Sequence, residues 1–147
     1  MATLVDTNVL VYRFDPRFPE KQAVATRLLR AGIADRTLRV PHQAVVEFVA
    51  ATTRREKDGL PLLSSLEAVR EAEDLLSQFP ILFPNESLVR TALRGMVAFQ
   101  LSWFDAHLWA YAEHYACNTL LSEDFQHDRQ YGTVRVMNPF LEGGSQE

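Results

Sequence analysis

The chain has 147 residues, with 15 Lys and Arg against 19 Asp and Glu for a net charge of -4, which is the size of one domain at roughly 150 residues each. A hydrophobic content of 47% with only 6 Gly and 7 Pro excludes a disordered, collagen-like or low-complexity chain, and the single cysteine, Cys117, excludes a disulfide framework and a cysteine-rich zinc fold. The acidic balance argues against a nonspecific DNA-coating surface but leaves nucleic acid open as a substrate.

The opening Met1-Ala2-Thr3-Leu4-Val5-Asp6 lacks the basic and apolar regions of a signal peptide. No apolar run approaches the roughly 20 residues that cross a bilayer. A cytoplasmic protein with no membrane association is the expectation. Residues 2–5 form a short apolar run ending in Asp-Thr-Asn, which reads as a buried strand followed by a helix start. A helix is predicted over 20–33, stopping near Gly32, and a second strand over 38–40. Pro41 suits the first turn of a helix reaching about residue 57. Pro61 similarly opens a predicted helix to about residue 79, with Leu62, Leu66, Val69, Leu75 and Leu76 on its apolar side. A short strand at 81–83, helices over 86–101 and 103–116, a strand at 118–121 and a final strand at 134–136 complete the series. Strands alternating with helices predict an α/β fold, a three-layer sandwich with a mostly parallel central sheet. Residues 1–141 are expected to make a single domain, with 142–147 a frayed tail.

In a parallel sheet of this kind, sites form beyond the carboxyl ends of the strands where strand order reverses. Asp6 directly follows the first strand, and Asp124 follows a later strand after only Ser122 and Glu123. Asp105 lies in the first turn of its helix and Glu47 about two turns into another. Four carboxylates from four separate elements can therefore meet at one edge. Each also has a plainer role available. Asp6 can cap a helix, Ser102 and Asp105 have the spacing of a capping box, and Asp124 lies in a polar loop. Glu47 is harder to dismiss, because it interrupts the apolar run from Ala44 to Ala51, where an unpaired charge is costly. Clustered carboxylates repel unless a cation joins them, and hard oxygen ligands select Mg²⁺ or Mn²⁺ over zinc or copper. Such an ion activates and orients water toward phosphorus, which implies phosphodiester hydrolysis.

The segments Val5-Asp6-Thr7-Asn8-Val9-Leu10, Glu47 within its helix, Ser102-Trp103-Phe104-Asp105-Ala106, Leu120-Leu121-Ser122-Glu123-Asp124-Phe125 and the closing run from Val134 to Phe140 together resemble the PIN-domain family, and within it the VapC-like ribonuclease toxins. The resemblance extends over nearly the whole chain. It implies that Asp6, Glu47, Asp105 and Asp124 are the catalytic acids and bind Mg²⁺ or Mn²⁺, with Asp6 and Asp105 foremost. Asn8 and Ser122 would orient those ligands. It further implies an RNA substrate cut to 5′-phosphate and 3′-hydroxyl ends, a small antitoxin that holds the protein inactive, and a homodimer. The helices over 20–33 and 41–57 offer apolar faces that an amphipathic partner segment could cover. Asp128 stands where relatives often have Gly, and reads as a surface residue.

Other chemistries fit less well. An aspartyl-phosphate phosphatase needs a second Asp where Asn8 stands, and neither Lys21 nor Lys57 is placed as the lysine of a receiver domain. No glycine-rich phosphate loop or Gly-x-Ser-x-Gly elbow is present. His107, His114 and Cys117 share a helical face but lack a fourth ligand for zinc. Trp103, Phe104, Trp109, Tyr111 and Tyr115 could stack bases, but on a helix between strands they read as core and interface residues. The alternative from another class is a noncatalytic PIN-like module that binds RNA or protein, against which the retention of all four acids argues.

Overall fold

The computed structural model describes residues 2–57 and 59–141. In chain order the elements are β1 (Thr3–Val5), α1 (Thr7–Tyr12), α2 (Pro19–Asp35), β2 (Leu38–Pro41), α3 (His42–Thr53), α4 (Ser65–Gln78), β3 (Ile81–Leu82), α5 (Glu86–Phe99), α6 (Trp103–His114), β4 (Thr119–Leu121), β5 (Gln130–Tyr131) and β6 (Val134–Met137). The strands form one sheet in the order β3-β2-β1-β4-β6-β5, parallel throughout except for β5 against β6. The predicted α/β sandwich is therefore the observed architecture.

Side chains that alternate along a strand divide between its two faces. Leu4 and Leu120 turn toward α5 and α6, in a core with Leu88, Trp109, Tyr111 and Val136. Val5 and Val40 turn the other way, toward α1 to α4, in a core with Leu10, Leu29, Phe48 and Leu75. From β1 the chain winds outward through β2 to β3, then returns to lay β4 along the opposite side of β1. The reversal of strand order falls between β1 and β4, and Asp6 and the segment 122–124 lie at their carboxyl ends.

Several boundaries differ from those predicted. Gly32 does not stop α2. It lies buried inside the helix because its missing side chain leaves room for Leu38, and the helix instead ends at Arg36 in the left-handed conformation with φ 60°. Pro41 closes β2 and stands just before α3 rather than within its first turn. That helix ends at Thr53, well short of residue 57, where Leu63 N donates to the Thr52 carbonyl at 2.9 Å and turns the chain back. Pro61 opens no helix. The start of α4 is instead set by a reciprocal capping box, with Ser64 Oγ accepting from Glu67 N at 3.1 Å and Glu67 Oε1 accepting from Ser64 N at 2.9 Å. On α4 the buried side chains are Ala68, Ala72 and Leu75, while Leu66, Val69 and Leu76 face outward, reversing most of the predicted apolar side. The two-residue strand β5 pairs with β6 in a hairpin not predicted from sequence. The tail at 142–147 lies outside the described residues.

Gly95 on α5 illustrates how closely one helical layer packs. A Cβ there would overlap the six-membered ring of Trp109, which is fixed by donation from Trp109 Nε1 to the Tyr131 carbonyl at 3.0 Å. Gly95→Ala gains about 1 kcal/mol of helix propensity, but overpacking costs about 1–3 kcal/mol. A net fall in melting temperature is expected in a thermal melt, whereas the same change at an unobstructed helix position would raise it.

Candidate active site

Asp6 ends β1 and begins α1. Its extended backbone and its acceptance of a hydrogen bond from Thr7 N at 2.6 Å make it the N-cap, so the capping role and the place in the acidic cluster belong to one residue. Its other oxygen accepts from the Ser122 hydroxyl and from Asn8 Nδ2 at 3.2 Å. Asn8 Nδ2 also donates to Asp124 Oδ2 at 3.2 Å, so one amide bridges two of the carboxylates. Ser122, fully buried, in turn accepts from Asp124 N at 3.0 Å and holds the loop that carries Asp124.

Across the edge, the Thr7 hydroxyl donates to Glu47 Oε1 at 2.7 Å, and Gln43 Nε2 donates to Glu47 Oε2 at 3.3 Å. Ser102 caps α6 by accepting from Asp105 N at 3.2 Å, which leaves the Asp105 carboxylate at the first turn of that helix. The capping expectation for Ser102 therefore holds on its side-chain half. Asp6, Glu47, Asp105 and Asp124 come together at one edge of the sheet, where Asp124 and Glu47 act electrostatically on both Asp6 and Asp105.

Burial dominates the state of Asp6. It raises the carboxyl from 3.8 to about 7, the Ser122 and Thr7 hydrogen bonds oppose it, and the charges on Asp124 and Glu47 add to it. Burial also raises Asp105, against the Ser102 hydroxyl and with Asp124 and Glu47. None of the groups that shift either acid is a cation. The donor set is all oxygen, so it suits a hard divalent ion, and such an ion would relieve the buried negative charge of Asp6. Among the described residues, however, no three His, Cys, Asp or Glu groups stand close enough to hold a metal together. The acids meet Thr7, Asn8, Ser122 and Gln43 instead.

Several neighbours of the site carry little signal in the sequence. Gln43 precedes Glu47 by one helical turn, a spacing that puts both on one face, and Thr7 sits inside Asp-Thr-Asn. Lys21, which has no evident role in the sequence, forms an ion pair with Glu123 at 2.9 Å, while the Tyr12 hydroxyl donates to the same carboxylate. Asp128 is exposed, pairs with Arg135 at 2.8 Å, and has φ 62°, the left-handed region that favours Gly. Trp109 and Tyr111 are core residues as expected, but Phe104 is 67% exposed beside Asp105.

A mostly parallel α/β sheet with acids gathered beyond the switch point places them where open α/β folds bind their ligands. The PIN domain model matches residues 3–132, and the chain belongs to the PIN domain family. Among solved structures it is similar to VapBC2 from Rickettsia felis bound to a DNA fragment from their promoter, at 12% identity and TM-score 0.68 over 94% of this chain and 98% of that one. It is also similar to VapC20 from Mycobacterium tuberculosis, a sarcin–ricin loop cleaving toxin, at 17% identity and TM-score 0.65 over 91% and 99%. FitAcB from Neisseria gonorrhoeae matches at 19% identity and TM-score 0.61 over 94% and 98%. No curated protein sequence matches. No helix among the described residues is long and apolar enough to cross a membrane.

The raised Asp6 carboxyl gives a signed pH dependence. In the folded protein it holds its proton up to about pH 7, whereas in the unfolded chain it releases it near 3.8. Its contribution to stability is therefore fully present below about pH 4 and is lost as pH rises through about 7, to a total on the order of 4 kcal/mol. In EDTA, the melting temperature should fall between pH 5 and pH 8, and Asp6→Asn should flatten that fall. Thermal melts of both forms across that range check it.

Proposed function

We propose that the protein is a Mg²⁺- or Mn²⁺-dependent endoribonuclease and the toxin of a toxin–antitoxin pair. The observation that carries this reading is the meeting of Asp6, Glu47, Asp105 and Asp124 at the reversal of strand order, with Asp6 buried there beside two other acids. The four acids would hold the ion, Asp6 and Asp105 foremost. When bound, the ion would activate water and stabilise charge at the phosphorus and the departing oxygen.

The chain's own groups supply orientation. Asn8 holds Asp6 and Asp124 in register, Ser122 supports both, and Thr7 holds Glu47. An open groove of about 330 Å³ leads from Asn8 and Asp124 past Tyr12 toward Arg17 and Phe18. The Arg17 guanidinium is taken up there by Asp15, at 2.8 and 2.9 Å, and by Glu56 at 3.5 Å, while exposed Phe18 and Phe104 offer faces on which an unpaired base stacks. Single-stranded or looped RNA presents bases in that form. RNA as the substrate also agrees with a cytoplasmic site of action.

For the antitoxin, a second cleft of about 380 Å³ lies along α2, floored by Leu121 and Met137 and walled by Val24 and Leu28. Arg27 and Asp35 stand at its rim. An apolar bed with charges of both signs beside it suits an amphipathic segment. The similar structures, a VapBC pair and a sarcin–ricin loop cleaving toxin, support both halves of the reading. The outward stripe Leu66, Val69 and Leu76 on α4 supports a homodimer. We take residues 1–141 as one domain carrying all of these functions.

The noncatalytic alternative is favoured by one observation, the lack of three acids at ligating distance among the described residues. Cleavage separates the two readings. Purified protein should cut structured RNAs in Mn²⁺ and not in EDTA, leaving 5′-phosphate ends, and Asp6→Asn or Asp105→Asn should each cost at least about 100-fold in rate. Metal-independent cutting, or cyclic phosphate products, would reject the mechanism.

Expression of the intact chain alone should slow growth, and Asp6→Asn should remove the effect. Normal growth at high soluble expression would reject the toxin role while leaving the nuclease chemistry standing.

A further inference from the structure

Gln43 occupies a junction between α3 and α6. Its Nε2 donates to Glu47 Oε2 at 3.3 Å, one turn along its own helix, and to the carbonyl of Phe104 at 3.1 Å on α6. Phe104 immediately precedes Asp105. The Gln43 Oε1 lies 2.6 Å from His107 Nδ1, and His107 is two residues beyond Asp105 on the same helix. One amide side chain therefore contacts one acid directly and reaches α6 on both sides of another.

The orientation of that amide is determined by its partners. Reversed, it would set its oxygen against a carboxylate and a carbonyl, two acceptors, and leave no favourable pair there. With the nitrogen facing those acceptors, the oxygen faces His107, whose Nδ1 must then carry the proton. The imidazole is held in turn between Trp103, at 5.5 Å between ring centroids, and Tyr111 at 5.2 Å. The amide is thus fixed from three directions, and none of the groups that fix it belongs to the four acids except Glu47.

We propose that Gln43 is a positioning residue that sets the Glu47 carboxylate relative to the start of α6, and so to Asp105, with His107 holding its amide in the working orientation. The role rests on the metal-dependent reading given above. It differs from simple packing because α3 and α6 lie on opposite faces of the sheet, so at this edge the two helices are joined through a side chain whose polar ends are both used. Groups that hold metal ligands in place without touching the ion typically change metal affinity by about 10–100-fold when removed.

Mn²⁺ binding to the full chain, read by titration calorimetry, tests this without relying on cleavage. Gln43→Met nearly preserves size but lacks both polar ends, and should weaken Mn²⁺ binding at least about 10-fold. His107→Phe preserves a ring between Trp103 and Tyr111, and should weaken binding in the same direction by a smaller factor. Because both act through one amide, the double variant should bind no more weakly than Gln43→Met alone, a non-additivity that two independent packing defects would not produce. In cleavage at saturating Mn²⁺, the loss should fall on kcat, with KM for RNA unchanged. If Gln43→Met does not fold, His107→Phe carries the same readout. Unchanged Mn²⁺ affinity in either folded single variant, or losses that add fully in the double variant, would overturn the role of Gln43 while the metal reading stands. Failure of the unmodified chain to bind Mn²⁺ would overturn the metal reading itself, and this role with it.

Discussion

Asp6 is almost wholly withdrawn from solvent at the end of the central strand, in the neighbourhood of two other acids. An isolated carboxylate placed there would be expensive, and much of the surrounding structure answers to that cost. A backbone amide, a buried hydroxyl and a side-chain amide converge on it, and each donor comes from a segment whose own position is set by the sheet. These hydrogen bonds lower the cost without cancelling it, which is why the group retains its proton far above the ordinary carboxylate range. A site arranged in this way is stabilised either by a proton or by a cation, and the hard oxygen donors around it suit the second as well as the first.

The sheet supplies the convergence. Strand order reverses between β1 and β4, so the segments leaving these two strands separate to opposite sides and open a gap at their ends. Glu47 and Asp105 reach the same gap from helices on opposite faces. Lys21 then ties α2 to Glu123, next to Asp124, and its ammonium also lies 4.7 Å from the centre of the Tyr12 ring. The wall of the apolar cleft and the loop carrying Asp124 are consequently parts of one connected framework.

Strand positions other than β5 were readable because alternating apolar residues and flanking prolines are local signals, and the closing Val-Arg-Val of β6 is a clear case. Helix limits were less so. The end of α3 depends on a hydrogen bond from Leu63, and the buried position of Gly32 depends on Leu38, both contacts that only the folded chain makes. The start of α4 reads as Pro61 in the sequence, whereas the capping box of Ser64 and Glu67 that sets it emerges only in the folded chain. The four acids could be placed at one edge from their positions after strands and within helices. Their neighbours Gln43 and His107 could not, since the bond between them joins residues 64 apart. The outward turn of Leu66, Val69 and Leu76 was equally hidden, because periodicity identifies a helix with two apolar stripes without saying which stripe, the bulky or the alanine-lined one, will be enclosed.

Asp6, Thr7 and Asn8 are consecutive, and they begin a helix in which each residue is rotated by about 100° from the last. Asp6 thereby receives Ser122, Thr7 reaches Glu47, and Asn8 spans Asp6 and Asp124. Three assignments are indexed to a single backbone turn. Inserting or deleting one residue between β1 and α1 would hand each task to the wrong side chain at once, even if strand and helix both survived. Among the described residues, the stretch between α3 and α4 makes none of the hydrogen bonds that hold the acids, so its length is not indexed to them in this way. The freedom of this molecule to diversify is therefore uneven, concentrated in the chain far from that first turn and almost absent within it.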